Sequence, residues 1–163
     1  MNGRFFIQFL GLCTTFIIAL VLEIAPWPVG LQALKPAWLP LVLATWILAL
    51  PTKINVGTAF ILGMLWDVAI GSILGVHALV LSLFAYTLAR YNQIFANLSL
   101  WTQSLLMILM VFMLRIVIFI VELCIHTATF NGQEIFGAII SGALWPWLFL
   151  LLRRIQRQLG INI

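Results

Sequence analysis

Charged side chains are scarce in this chain of 163 residues: they make up 7% of it, only four are acidic, and 64% of the residues are hydrophobic. An ordinary soluble domain has about 25% charged and about 45–50% apolar residues. A soluble fold with so few charges could not cover its surface, so the composition predicts an integral membrane protein. The net charge of +4 does not indicate nucleic-acid binding, because most basic residues lie at the ends of apolar runs.

Cysteines and catalytic motifs are equally sparse. Cys13 and Cys124 lie in separate apolar runs, at different predicted depths, so we expect no disulfide between them. The sequence has no Gly-x-Ser-x-Gly, His-Glu-x-x-His, phosphate-binding loop or Cys-x-x-Cys. The nearest approach to a metal or catalytic cluster is His77, Glu122 and His126. Because an established site needs more ligands and a supporting shell, we expect no metal, no cofactor and no catalytic residue.

Long apolar runs dominate what is present, and a transmembrane helix takes about 20 such residues. The runs predict an all-α polytopic membrane protein: one domain, residues 1–163, forming a bundle of six transmembrane helices with short loops. The second run has only about 14 strongly apolar residues, about 21 Å of helix, so a re-entrant segment and five spans remain open. The predicted spans are residues 5–25, 31–50, 56–73, 76–90, 98–125 and 135–152.

The basic residues orient the six-span bundle with both termini in the cytoplasm. Lys35 alone then lies in an outer loop, and Arg115 lies within a helix. Five spans with the N-terminus outside would satisfy charge counting equally well. Arg153, Arg154 and Arg157 form a basic cytoplasmic end, which predicts contact with anionic lipid or with a cytoplasmic partner. The residues placed inside by six spans are Arg4, Lys53, Arg90, Arg153, Arg154 and Arg157, whereas Glu23, Glu122 and Glu134 gather near the outer side.

A stripe of small residues marks the third run. Gly63, Asp67, Gly71 and Gly75 recur every fourth residue, which places them on one face of a helix. Small residues let membrane helices approach closely. The stripe therefore predicts close packing within the protein or a docking face for another protein's helix.

Three charges fall within the predicted membrane helices: Asp67, Arg115 and Glu122. A carboxylate in hydrocarbon is costly, so Asp67 should face the bundle interior. Arg115 falls at a comparable depth, and Glu122 follows it by seven residues on a similar face. We hypothesise that Asp67 and Arg115 form a structural ion pair, in preference to a proton or ion relay.

Four stretches of the sequence form a recognisable set of motifs: Leu48-Ala-Leu-Pro-Thr-Lys-Ile-Asn-Val-Gly-Thr-Ala-Phe60, Gly63-x-x-x-Asp67-x-x-x-Gly71-Ser72-x-x-Gly75, Ala25-Pro-Trp-Pro28 and Leu144-Trp-Pro-Trp-Leu-Phe-Leu-Leu-Leu-Arg153. These motifs resemble those of the rod shape-determining protein MreD family. The resemblance covers nearly the whole chain in length and order of helices, and the Trp-Pro-Trp ending is similar to the proteobacterial type.

The resemblance implies a non-catalytic scaffold of the bacterial inner membrane that acts in side-wall elongation. Its implied partner is MreC, which has one membrane helix, with indirect links to the MreB filament and to the RodA glycosyltransferase with its transpeptidase. The family's six-helix bundle is also thought to be similar to substrate-binding subunits of vitamin transporters. A transporter subunit would need a polar cavity open to the outside, and an intramembrane enzyme would need clustered His, Asp or Glu residues at one depth.

Overall fold

The computed structural model describes residues 2–126, 132 and 134–161, and in this part of the chain helices joined by turns and loops are present, with no β-strand. The expected all-α architecture is therefore confirmed. One turn of 3-10 helix, Gln32–Leu34, lies between the first two α-helices. The α-helices of the described residues are α1 Asn2–Ile24, α2 Trp38–Ala49, α3 Val56–Ile70, α4 Val76–Arg90, α5 Asn92–Ala96, α6 Leu100–Cys124 and α7 Glu134–Gln158.

Helix length divides the bundle into two groups. Within the described ranges, α1 from Gly3, α6 and α7 are long and apolar enough to cross a membrane. Helix α2 has 12 residues, and α3 and α4 have 15 each. At 1.5 Å per residue these are about 18 Å and about 22 Å long, against an apolar layer of about 30 Å. The count of six spans therefore stays a prediction.

Helix α2 forms the centre of the bundle. It comes from the second apolar run, whose short length left open whether it spans the membrane. Its consecutive residues Leu39–Ile47 are all buried, because α1, α4 and α7 pack around it. A helix that is apolar on all sides requires such an environment. The indole of Trp46 is fully buried here and donates its N–H to Thr15 Oγ1 at 3.0 Å, which satisfies its one polar atom.

Helix α1 lies at the periphery. It packs on α2 and makes fewer contacts with α3, and most of its apolar side chains are exposed. Near its start, Gln8 donates from Nε2 to the carbonyls of Leu159 and Gly160 at 3.2 and 3.3 Å. An apolar groove of about 590 Å³ runs between α1 and α3, and we call it the α1–α3 groove. Its lining includes Phe9, Phe16, Ile17, Ile61 and Leu65, with Gln8 and Lys53 as polar members.

Candidate functional site

Asp67 is completely buried in the last turn of α3, and its carboxylate holds the connection to α4 in place. Oδ1 accepts from Ser72 Oγ at 2.7 Å and from the His77 backbone N–H at 3.3 Å. Oδ2 accepts from the Gly75 N–H at 2.9 Å, and His77 Nδ1 lies 2.7 Å from Oδ1. The imidazole of His77 packs on Trp66, with ring centroids 4.1 Å apart. These contacts satisfy the buried carboxylate without a cation from α6.

Two glycines shape this connection. Gly71 ends α3 in the left-handed conformation, φ +67°, and Gly75 precedes α4 with φ +105°. Glycine adopts such angles without the steric cost of a side chain, so α3 stops at Ile70 instead of continuing to residue 73. The predicted four-residue stripe is therefore wrong at Gly71 and Gly75, which are turn residues. Asp67 faces the turn that they form.

Gly63, the first member of the predicted stripe, lies against the backbone of α4. A methyl group on Gly63 would come within 2.7 Å of the His77 carbonyl oxygen and would overlap the Ala78 backbone. Helices α3 and α4 thus meet backbone to backbone at this point. This face of α3 is occupied within the chain, so it is not open to a partner helix.

The expected ion pair between Asp67 and Arg115 does not form. The Arg115 guanidinium donates from Nη2 to the Lys35 carbonyl at 2.7 Å and from Nη1 to the Glu134 carbonyl at 3.0 Å. The prediction was wrong because similar depth does not fix the direction in which a side chain leaves its helix. Arg115 faces the α1–α2 connection and the start of α7, whereas Asp67 bonds to the α3–α4 turn.

Residues 25–37, which connect α1 to α2 and which we call the strap, are held by several polar contacts besides that of Arg115. Lys35 donates from Nζ to the Ala25 carbonyl at 3.1 Å, and the Ala37 N–H donates to Ser141 Oγ at 2.9 Å. Glu23 Oε2 accepts from the Leu39 N–H at 3.2 Å in the first turn of α2. Desolvation lowers the pKa of the Lys35 ammonium, and the nearby Glu23 carboxylate opposes that shift.

The end of α1, the strap, α3, α4, α6 and α7 line a partly open polar cavity of about 220 Å³. We call this end of the bundle the acidic end, because all four acidic residues of the chain lie here: three line the cavity and Asp67 contacts the cavity-lining His77. Within the described residues, no group of three or more His, Cys, Asp and Glu is arranged to hold a metal ion. The lining includes Glu23, Gln32, Lys35, Trp66, His77, Arg115, Phe119, Glu122 and Glu134.

Three of the four acidic residues lie at the N-terminal ends of helices. Glu23 accepts from α2, Asp67 accepts from the Gly75 and His77 amides at the start of α4, and Glu134 occupies the first turn of α7. A helix N-terminus carries unpaired N–H groups and partial positive charge, so a carboxylate there is favourable. The sequence analysis placed Glu23 and Glu134 near one surface but assigned them no role. The predicted starts of the following helices could have indicated a role, because a carboxylate is favourable at a helix N-terminus.

The opposite end of the bundle carries the other six basic residues, and we call it the basic end. Arg153 lies over the Phe149 ring, with Cζ 5.3 Å from the centroid, whereas Arg154 and Arg157 are exposed. No acidic side chain of the chain lies at this end, because all four are at the acidic end. Lipid contact there remains a prediction. The six residues are Arg4, Lys53, Arg90, Arg153, Arg154 and Arg157.

Comparison with known proteins gives two consistent matches and no solved structure. A family model described as rod shape-determining protein MreD matches residues 3–155. The rod shape-determining protein MreD of Haemophilus influenzae is 54% identical over 162 residues, which cover 99% of this chain and 100% of that protein. No solved structure matches the chain. The family match and the identity over the full length agree with the all-helical apolar bundle, and the chain belongs to the MreD family.

Proposed function

We propose that the chain is a non-catalytic scaffold of the cell-wall elongation machinery in the bacterial inner membrane, where it helps maintain rod shape. Membership of the MreD family supports the role in cell shape. We place the chain in the membrane with six spans and both termini in the cytoplasm, because Arg4 lies at the same end of the bundle as the other five basic residues and the basic end would then face inward. In this arrangement the acidic end faces the periplasm.

The α1–α3 groove is the surface that we propose for the membrane helix of MreC. Its lining on α1 extends from Phe5 to Leu20, about 22 Å along the helix axis, and nearly all of it is apolar. Helix α1 also leaves most of its apolar surface uncovered. Lipid tails are as apolar as a helix surface, so docking would depend on shape and close packing. A groove of this length offers a partner helix both a matching shape and close packing.

Through MreC the scaffold would be linked to the MreB filament on the cytoplasmic side and to RodA with its transpeptidase in the membrane. The polar contacts of the acidic end support the role of a non-catalytic scaffold. They fix the strap and three helix starts to one another, which gives a partner a rigid surface. Rigid binding surfaces reduce the ordering cost of association.

The role in cell shape is tested by controlled depletion in the native host, with and without a plasmid copy of the chain. We expect depleted cells to lose rod shape and become round, and the plasmid copy to restore rods. Depleted cells that stay rod-shaped would show that the elongation role is wrong.

The groove is tested by site-specific photo-crosslinking in intact cells. Phe9 and Ile61, which are 56% and 61% exposed in the groove, are each replaced by a benzophenone amino acid. Leu105 and Leu150 on α6 and α7, 68% and 55% exposed, are the matched controls outside it. We expect a cross-link to MreC from the two groove positions and none from the controls. Equal cross-linking from all four positions would contradict docking in the groove.

The polar cavity favours a second candidate function, that of a substrate-binding subunit for a vitamin-type transporter. Pockets for such ligands measure about 300–1,000 Å³. The cavity here is about 220 Å³, and two of its basic residues already donate to backbone carbonyls, which makes this candidate the weaker one. Growth that depends on an added vitamin after depletion, with rod shape retained, would support the transporter function over the scaffold.

A further inference from the structure

A second apolar groove, of about 310 Å³, lies between α4 and α6, and we call it the α4–α6 groove. Thr87 is the one polar side chain among its described lining residues, and its hydroxyl donates to the Leu83 carbonyl at 3.0 Å. The groove therefore offers water almost no hydrogen-bond partner, and an apolar occupant suits it better. Val80, Phe84 and Leu114 form its buried floor, and Leu83, Leu109 and Met113, each about half exposed, form its walls.

The α4–α6 groove is short. Its lining extends from Val80 to Thr87 on α4, about 10 Å along the helix axis, and from Leu109 to Val117 on α6, about 12 Å. A transmembrane helix is about 30 Å long and would contact this groove over only about two turns. A single acyl chain is slender and flexible, and the thioether side chain of Met113 can adapt to it. The groove therefore fits a lipid chain better than a partner helix.

The groove leads towards Arg90, which belongs to the basic end. Leu83 and Thr87 line the groove, and Arg90 follows them by seven and three residues, which places all three on one face of α4. Arg90 lies about 4.5 Å beyond Thr87 along the helix axis. A lipid whose acyl chain occupies the groove would therefore bring its phosphate close to the Arg90 side chain.

Arg90 and Tyr86 form a polar pair that suits a phosphate group. Arg90 donates from Nη1 to the Tyr86 hydroxyl at 3.1 Å, and both side chains are exposed. A guanidinium has five N–H donors in a planar fork that matches phosphate oxygens, and the tyrosine hydroxyl can donate its own hydrogen to the same group. All four acidic side chains of the chain lie at the acidic end, so none of them repels a phosphate here.

We propose that the α4–α6 groove and Arg90 bind an anionic phospholipid, with one acyl chain in the groove and the phosphate at the Arg90 guanidinium and the Tyr86 hydroxyl. The site goes beyond the scaffold role and is separate from the α1–α3 groove, because the two grooves share no described lining residue. In a topology with both termini in the cytoplasm, this phosphate belongs to the inner leaflet, whose anionic lipids attract basic side chains.

The site is tested on the full chain, purified in detergent, by titration with dioleoyl phosphatidylglycerol while the thermal midpoint is followed. Dioleoyl phosphatidylcholine is the lipid control, because it has the same acyl chains and its ammonium group offsets the phosphate charge. We expect phosphatidylglycerol to raise the midpoint at an about tenfold lower concentration, which corresponds to one charge-assisted contact. Equal responses to the two lipids, or a response to neither, overturn the proposal.

A pair of charge variants localises the phosphate. Arg90→Gln removes the charge at the groove, whereas Arg154→Gln removes the same charge from an exposed position on α7 at the basic end and is the matched control. We expect the preference for phosphatidylglycerol to disappear in Arg90→Gln and to remain in Arg154→Gln. Each preference compares two lipids on the same protein, so a change in basal stability does not affect it. A preference that survives in Arg90→Gln, or that both variants lose equally, overturns the proposal.

A pair of groove variants distinguishes a lipid from a free phosphate ion. Leu109→Trp fills the α4–α6 groove, whereas Leu105→Trp, one turn earlier on α6, changes an exposed side chain outside the lining and is the control. We expect Leu109→Trp to weaken the response to phosphatidylglycerol about tenfold, because the acyl chain loses its apolar contacts, and Leu105→Trp to respond like the parent chain. Inorganic phosphate should leave the midpoint unchanged. A response to inorganic phosphate as large as that to the lipid, or a Leu109→Trp variant that responds like the parent, overturns the lipid site.

Discussion

Replacing Gly63 by alanine should weaken the packing of α3 on α4. The added methyl group would lie 2.7 Å from the His77 carbonyl oxygen and would overlap the Ala78 backbone. Backbone atoms cannot move aside as a flexible side chain can, so the two helices must separate. Overpacking of this kind costs about 1–3 kcal/mol. The helix-propensity gain of alanine over glycine, about 0.8–1.0 kcal/mol, acts in the opposite direction.

Gly57→Ala in the same helix is the matched control. Its new methyl group would meet only Asn55 Oδ1, at 3.8 Å, which is an ordinary contact. Both variants share the propensity gain, so the difference between their free energies of unfolding isolates the steric term, about 1–3 kcal/mol. The measurement is reversible denaturant unfolding of the purified chain in detergent micelles. Equal stability of the two variants would refute the backbone contact between α3 and α4.

Three further substitutions test the polar contacts and the second close helix pair. Asp67→Asn should cost about 1–3 kcal/mol of unfolding free energy, because an amide cannot accept at both former oxygen positions, and Ser72→Ala should cost less. Arg115→Lys should speed hydrogen exchange of the strap amides about tenfold or more, since one ammonium cannot reproduce the two guanidinium contacts. Gly142→Ala should destabilise the packing of α6 on α7, and adding Ile108→Ala should restore part of the loss, because the nearest obstacle is the Ile108 side chain and the Ser104 carbonyl oxygen, at 3.0 Å, remains. A double variant that is no more stable than Gly142→Ala alone would contradict this contact.

The apolar helices could be predicted from the sequence because hydrophobic runs and prolines act locally. The end of α3 was predicted three residues late, since hydropathy continues through Ile73 while the backbone at Gly71 already turns. Helix α2 looked like the weakest span, yet Leu39–Ile47 form the centre of the bundle. A helix of this length is too short to span the apolar layer where lipid surrounds it. A helix surrounded by protein, however, does not have to match the thickness of the bilayer.

The candidate site was harder to predict than the fold. The sequence showed which charges lie at similar depth, and it placed Glu23, Glu122 and Glu134 near one surface. It did not show that Asp67 bonds to His77 or that Arg115 faces the strap. Those partners depend on the rotation of each helix about its axis. Packing at points such as Gly63 sets that rotation, and the rotation cannot be read directly from a single sequence.

The contact between Gln8 and the carbonyls of Leu159 and Gly160 has a consequence for biogenesis. These hydrogen bonds join residues 151 and 152 positions apart, and a Cβ at Gly11 would press against the Leu159 side chain. Helix α1 is synthesised before α7 but can dock at this point only after α7 has been made. Until then it is tethered mainly through α2. A helix made before the other six α-helices described here is thus fixed in its final position only when the last of them is complete.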